Sequence, residues 1–398
     1  MQTNLLSSQT IDFIFEAAHI QRWNEFIRPS IGFTELDKQS HKALIAFILM
    51  GEEDGVDEER LIKGFLFEFF ARTLLTDIKP PIYKRLLDTH SNQIYEWALK
   101  ELGVRAPEIV ESFGEEMRGY LLSPKPSKER DILKAAHYLA SKWEFKTISP
   151  QNSEVYGFIE TKKALDLELE EHYSLVGVQK IALGQKSGLL IDLLGRLRFQ
   201  KRWTSTPRVP ETSVMGHMLI TALLSYFSLS MVDGACKKRK TNAFFGGLFH
   251  DLPEVLTRDI ISPIKRSVSG LDEIIKEIEL RLIEEELLPI APQSIKSKLK
   301  YLVIDEFANK ITDNGKTVYL QSADELHKKY NNDRYDPIDG SIINACDKLS
   351  AYVEAAQSIK HGISSEHLLN AVKSMRESNR SLSVLGIDYG KVYVGAMG

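Results

Sequence analysis

The chain is short of the features that would place it outside the cell, across a membrane or along nucleic acid. It has only two cysteines, Cys236 and Cys346, in 398 residues. Two thiols can build neither a disulfide framework nor a four-cysteine zinc cluster, so reduced thiols and a cytoplasmic location are expected. A charge of one sign is missing as well. Fifty-one basic side chains face 55 acidic ones, for a net charge of −4, so there is no global basic field for nucleic acid. Long hydrophobic runs are scarce. The stretch from Thr212 to Val232 carries no formal charge, yet Ser, Thr and His217 interrupt it, which suits a buried helix better than a membrane span. The opening residues, MQTNLLSSQTIDFIFEAAH, have no basic start and no small-residue cleavage site, so no secretory signal is expected.

What is present is an ordinary globular composition, 43% hydrophobic and 27% charged, long enough for two or three domains. Apolar residues recur every three or four positions in LIAFILM, LIKGFLFEFFARTLL, IYEWALKELG and ILKAAHYLASKW. That spacing predicts helices. Only YGFIET and KVYVGA read as short strands, so the expected fold class is all-α. The acidic stretch from Leu271 to Leu288 reads as an amphipathic helix with a solvated face.

The sequence also repeats itself. QRW at Gln21 to Trp23 returns as KRW at Lys201 to Trp203, and each is followed by a histidine on an apolar helix, His41 and His217. Phe65 to Ile82 aligns with Gly247 to Ile264 without a gap, and the block from Ile132 aligns with the block from Ile342. Two tandem helical domains are therefore expected, residues 1–180 and 181–398, joined by a helical connector from Leu175 to Arg198. The copies differ where chemistry would sit. Against His250, Asp251 and Glu254 the first copy has Glu68, Phe69 and Arg72, and against Asp347 it has His137. Phenylalanine cannot ligate a metal, so the first copy is expected to serve packing, dimerisation or regulation. Only His41 keeps the residue type of the candidate ligand it aligns with.

In the second copy His217 is expected to start one helix, the adjacent His250 and Asp251 to start another, and the distant Asp347 to sit in a third. A helix bundle can converge such residues on one divalent metal. Glu254 follows three residues after Asp251 and four after His250, so on a continuous helix all three project from one side.

This order of ligands resembles the HD-domain metal-dependent phosphohydrolases. HDLPEVLTRDIISPIK is similar to the run HDxxEVLTxDxxxPxK of their bacterial 5'-deoxynucleotidase branch, and RWTSTPRVPETSVMGH also looks similar. The similarity spans Arg202 to about Ala355. Three departures stand out: Gly216 where that branch has a glutamate, a Pro-Glu spacing before His217 that is one residue longer, and a longer interval between Asp251 and Asp347. The resemblance implies HD-like helical domains, the first of them degenerate, and one divalent metal (Mn, Co, Ni, Fe, Zn or Mg) held by His217, His250, Asp251 and Asp347. It implies hydrolysis of a small phosphomonoester, a nucleotide in the first instance, by a homodimer.

In that reading Asp251 and Glu254 are the catalytic carboxylates, with Glu254 handling the proton of an attacking water or of the leaving alkoxide. Arg208, Lys265 and Arg202 are candidate phosphate clamps. Trp203 is a candidate for stacking on a base or sugar, and Asp259 for a ribose hydroxyl or a helix cap. Two other readings are carried: a nucleotide sensor without turnover, and an iron-dependent oxygenase on the same fold, for which His327 would have to help bind a second metal.

Overall fold

A computed structural model describes residues 3–23, 27, 29, 32–76, 78, 80–258 and 270–395. The chain is helical almost throughout, as its periodicity predicts. The first half comprises α1 (Ser8–His19), α2 (Glu35–Met50), α3 (Glu58–Leu74), α4 (Pro80–Arg105), α5 (Pro107–Leu122), α6 (Lys128–Asn152), α7 (Phe158–Glu170), α8 (Val176–Ala182) and α9 (Lys186–Gly195). The second half follows with α10 (Val214–Met231), α11 (Lys237–Phe249), the short α12 (Glu254–Thr257), α13 (Leu271–Leu282), α14 (Gln293–Val303), α15 (Ala323–Lys329), α16 (Gly340–Lys360), α17 (Glu366–Asn379) and α18 (Tyr389–Gly395).

Both stretches expected to be strands are helical. YGFIET runs into α7, and residues 391–395 of KVYVGA lie in α18. The strands that do occur are small antiparallel hairpins: Gln21–Arg22 with Phe33–Thr34, Lys310–Asp313 with Lys316–Tyr319, and Ser383–Val384 with Ile387–Asp388. The second turns at Asn314-Gly315, both with positive φ (48° and 73°), the pairing a two-residue hairpin favours.

α10 is the centre of the molecule. Every residue from Val214 to Leu229 is buried. Among the described residues it is the one helix long and apolar enough to cross a membrane, and here it is clad by other helices. α11 crosses it at Gly247, where a Cβ would come within 2.7 Å of the Ala222 Cα. Only glycine permits that backbone approach.

On its other side α10 meets α2. Ser213, which caps α10 by accepting the Gly216 N–H, also donates to Asp37 Oδ1 at 2.6 Å. Ser40 Oγ donates to the Met215 carbonyl at 2.7 Å. Gly216, where a glutamate is expected from the resemblance, faces Asp37 and Leu36; a Cβ there would already lie 3.0 Å from Asp37 Oδ1. The close packing of α2 explains that departure. Aromatic contacts extend the same core across both halves, with the Phe47 ring 4.9 Å from Phe245 and 4.8 Å from Phe249.

Candidate active site

Three helices deliver the candidate ligands. His217 is the fourth residue of α10, one turn in from its Ser213 cap, and Asp347 lies in the first half of α16. Contrary to expectation, His250 and Asp251 do not start a helix; they follow the last residue of α11. Glu254 is not on a continuous helix with them. Pro253 has no N–H to bond the Phe249 carbonyl, so the chain tightens into i→i+3 bonds, Leu252 N–H to Phe249 O and Glu254 N–H to Asp251 O. α12 then begins at Glu254, which is buried.

The four candidate ligands converge. His217 Nε2 lies 2.9 Å from Asp347 Oδ1 and 3.7 Å from Asp251 Oδ2. His250 Nε2 lies 3.3 Å from Asp251 Oδ2 and 3.6 Å from Asp347 Oδ1. Ligand atoms of His217, His250 and Asp251 all fit within 4.8 Å of one another. The imidazoles are fully enclosed, whereas the Asp251 and Asp347 side chains are 19% and 26% exposed, so the centre opens on its carboxylate side.

The chemistry of this set fits a divalent cation. His250 Nδ1 is 2.8 Å from the Gly247 carbonyl, which can only accept, so the ring proton sits on Nδ1. Its Nε2 is then a buried lone pair with no hydrogen-bond partner, facing two carboxylates. Such a nitrogen needs a proton or a cation between it and them. Burial pushes the His250 imidazole down, but Asp251 and Asp347 overcome it and raise it well above its ordinary range. Burial raises the Asp251 carboxyl, and His250, His217 and Arg202 reverse this to hold it at about 2. Asp347 is likewise held well below its usual range against burial, chiefly by the two histidines.

Beneath the centre lies a residue that sequence reasoning missed. Glu354, on α16 two turns after Asp347, is wholly buried. It accepts from Trp203 Nε1 at 3.0 Å, Thr212 Oγ1 at 2.9 Å and Arg202 Nε at 3.3 Å, and its Oε1 stands 3.4 Å from His217 Nδ1. Ser350 Oγ is 3.0 Å from the same nitrogen. Nδ1 is thus occupied from below, which turns Nε2 toward the centre, the second-layer support that metal-binding histidines require. Burial raises Glu354, and Arg202 and His217 more than reverse it, leaving the carboxylate ionised far into acid. The available signal was the repeat, since the Ile132 and Ile342 blocks align Glu354 with Glu144.

The remaining candidates divide. Arg202 is at the centre, with Nη1 3.4 Å from Asp251 Oδ2 while Nε holds Glu354. Trp203 is tied to Glu354 through its indole. Arg208 is buried and points inward, donating to Thr212 Oγ1 at 2.6 Å and to the Glu354 carbonyl at 3.3 Å, its guanidinium over the Trp203 ring. In this structure it ties the 203–212 loop to α16. Asp259 and Lys265 lie outside the described residues. His327 is far from the centre in the bonding network; its Nδ1 is 2.8 Å from Arg239 Nη1, part of a buried pair with Asp339. The turn after α14 adds Phe307, whose ring is 6.1 Å from His250, and Glu306, whose carboxyl burial raises.

In the first half, His41 does not stand where His217 does. Its Nε2 faces the Ile191 carbonyl at 3.3 Å and its ring packs edge-on to Trp143. The fourth residue after the Thr34 cap of α2, matching His217 after Ser213, is Lys38.

Comparison with known proteins agrees with this geometry. A family model described as the HD domain matches residues 194–376. A 5'-deoxynucleotidase of Vibrio atlanticus is 27% identical over 142 residues, 33% of this chain and 72% of the relative. A 5'-deoxynucleotidase of Photobacterium profundum is 29% identical over 120 residues, 29% of this chain and 61% of the relative. One from Shewanella oneidensis is 26% identical over 121 residues, covering 29% of this chain and 60% of the relative. The chain thus spans less than two thirds of the length of the latter two. No solved structure matches. The segment that brings His217, His250, Asp251 and Asp347 together is the one that the HD-domain family model matches, residues 194–376.

Proposed function

We propose that the second half of the chain is a metal-dependent phosphohydrolase that cleaves a phosphomonoester, with a nucleoside monophosphate as the substrate class. The observation that carries this is the buried, unpartnered His250 Nε2 facing Asp251 and Asp347 beside His217. The relatives named 5'-deoxynucleotidase support the substrate class. His217, His250, Asp251 and Asp347 would hold one divalent ion. Bound there, it supplies Lewis-acid charge to a phosphoryl oxygen and makes water acidic enough to ionise near neutrality.

The chain's own residues do the rest. Arg202, already fixed by Glu354, presents its Nη1 side next to Asp251, where a phosphate approaching from the exposed carboxylate side would meet a charged donor. Glu254 shares the field of Arg202 with Asp251 and Asp347, and its carboxylate is the group suited to take a proton from water or return one to the leaving oxygen. Trp203, pinned through its indole N–H, offers a rigid ring at the edge of the site.

The test is phosphate release from a panel of ribo- and deoxyribonucleoside monophosphates. The protein is first stripped by chelator and then refilled with Mn, Co, Ni or Mg. Turnover of at least one nucleotide, lost in Asp251→Ala, is expected. A metal-loaded protein that turns over none of the panel contradicts the proposal.

A further inference from the structure

The first half of the chain rebuilds the frame of this site around a different centre. Arg22 and Trp23 both donate to Glu144, through Nε at 3.0 Å, Nη2 at 2.8 Å and the indole Nε1 at 2.9 Å, as Arg202 and Trp203 do to Glu354. Trp23 and Trp203 share a left-handed backbone, φ 57° and 56°, which is rare for a bulky side chain. The residues that open the next helices are tied back in the same way, Glu35 N–H to Ile20 O and Val214 N–H to Gln200 O, each at 2.8 Å. Four residues beyond the Thr34 and Ser213 caps stand Lys38 and His217. Lys38 Nζ meets His137 Nδ1 at 2.8 Å, and His217 Nε2 meets Asp347 Oδ1 at 2.9 Å. Coincidence does not reproduce a cap, a strained tryptophan and a buried glutamate in one order.

The charges differ in a telling way. Around Arg202 gather Glu354, Asp251, Glu254 and Asp347, an anionic excess that a divalent cation would offset. In the first half Glu35, Glu68 and Glu144 are met by Arg22, Lys42, Arg72 and Arg198. Among the described residues each of these three glutamates is thus met by a cation, and Phe69, aligned with Asp251, has no ligand atom. Arg22 and Trp23 persist without a metal centre, so the Arg–Trp–Glu unit has a framing role independent of catalysis.

We infer that the first half carries a second copy of the site in which the Lys38 amine stands in the cation's position and His137 in that of the fourth ligand, closing it to metal. The inference rests on the reading of His217, His250, Asp251 and Asp347 as a metal centre. It has a structural consequence. α2 is held by its own backbone tie and ion pairs, and its opposite face grips the start of α10 through Asp37 and Ser40, so the helix that carries His217 is positioned from a metal-free scaffold.

The experiment counts metal per chain by elemental analysis after chelation, reloading with Mn(II) or Ni(II) and gel filtration. Three proteins are compared: wild type, Asp347→Ala, and a variant with ligands restored in the first half (Lys38→His, Glu68→His, Phe69→Asp, His137→Asp). About one ion per wild-type chain is expected, with close to none in Asp347→Ala and one more than wild type in the restored variant. Two ions in wild type, or wild-type content in Asp347→Ala, would overturn the inference, because the first half would then bind metal with Lys38 in place. A folded restored variant that gains no ion would overturn it as well. If that variant fails to fold, the first two counts decide. A wild type with no metal instead removes the metal centre of the second half, an outcome distinct from failure of the Lys38 assignment.

Discussion

The Glu354 carboxylate stands 3.4 Å from His217 Nδ1, on the side of the imidazole opposite Asp347. One buried acid thereby fixes a candidate ligand, an arginine and a tryptophan together. Glu354→Gln keeps the shape and removes the charge. Metal affinity is expected to fall about 10–100-fold, measured by titration of the stripped protein with Mn(II). Glu354→Ala also strands the largely enclosed Arg202 and is expected to cost about 3–5 kcal/mol of stability in denaturant unfolding. Unchanged affinity in Glu354→Gln would reduce Glu354 to a packing residue.

Gly247 serves two purposes at one point. Its missing Cβ lets α11 touch the Ala222 backbone, and its carbonyl holds His250 Nδ1. Gly247→Ala forces the two helices apart and should destabilise by about 1–3 kcal/mol or more. Metal affinity should fall with it, because His250 and His217 separate. Urea unfolding and metal titration on the same preparation check both. A stable variant with normal affinity would contradict the crossing described here.

Glu254→Gln should separate proton handling from metal binding. Metal content is expected to stay at the wild-type value while turnover drops about 10²–10⁴-fold, the usual worth of a positioned acid–base group. Elemental analysis and phosphate release, run in parallel, give the answer. Loss of metal together with activity would make Glu254 a ligand instead.

Acid stability should draw in part on the first half. Burial raises the Glu35 carboxyl, but Arg22, Lys38 and Arg72 overcome it and hold it at about 2, against an ordinary 4.5. A depressed carboxyl stabilises the fold fully above its unfolded value, and the contribution drains away as pH falls toward the folded one. Unfolding free energy should therefore decline between about pH 4.5 and 2. The decline should be shallower in Glu35→Gln, and an identical acid profile in that variant would count against the Arg22–Glu35 pairing.

How much of this the sequence disclosed depends on how local each signal is. His250, Asp251 and Glu254 sit in one short run, and His217 and Asp347 stand out as polar residues on apolar helices, so the site was legible. The helix break at Pro253 was not, although the proline was in plain view; the pattern of ligand spacing alone suggested a continuous helix. Glu354 looked like one more glutamate on a long helix, because nothing in its neighbours reveals that three side-chain donors reach it from 142 to 152 residues earlier in the chain. The pairing of His41 with His217 followed residue type, whereas the helix caps, Thr34 and Ser213, set the true register and put Lys38 there. KVYVGA alternates like a strand yet closes as α18, its Tyr393 packed 4.7 Å from Tyr352, a tertiary contact that outweighs β propensity. The hairpin at Asn314-Gly315, by contrast, was missed although its turn residues favour one.

The most direct test is anomalous diffraction from crystals of the protein loaded with Mn(II). A single strong peak is expected, bounded by the Nε2 atoms of His217 and His250 and by the carboxylates of Asp251 and Asp347, with none beside Lys38. A peak elsewhere, or full loading with no density among these four side chains, would contradict the account.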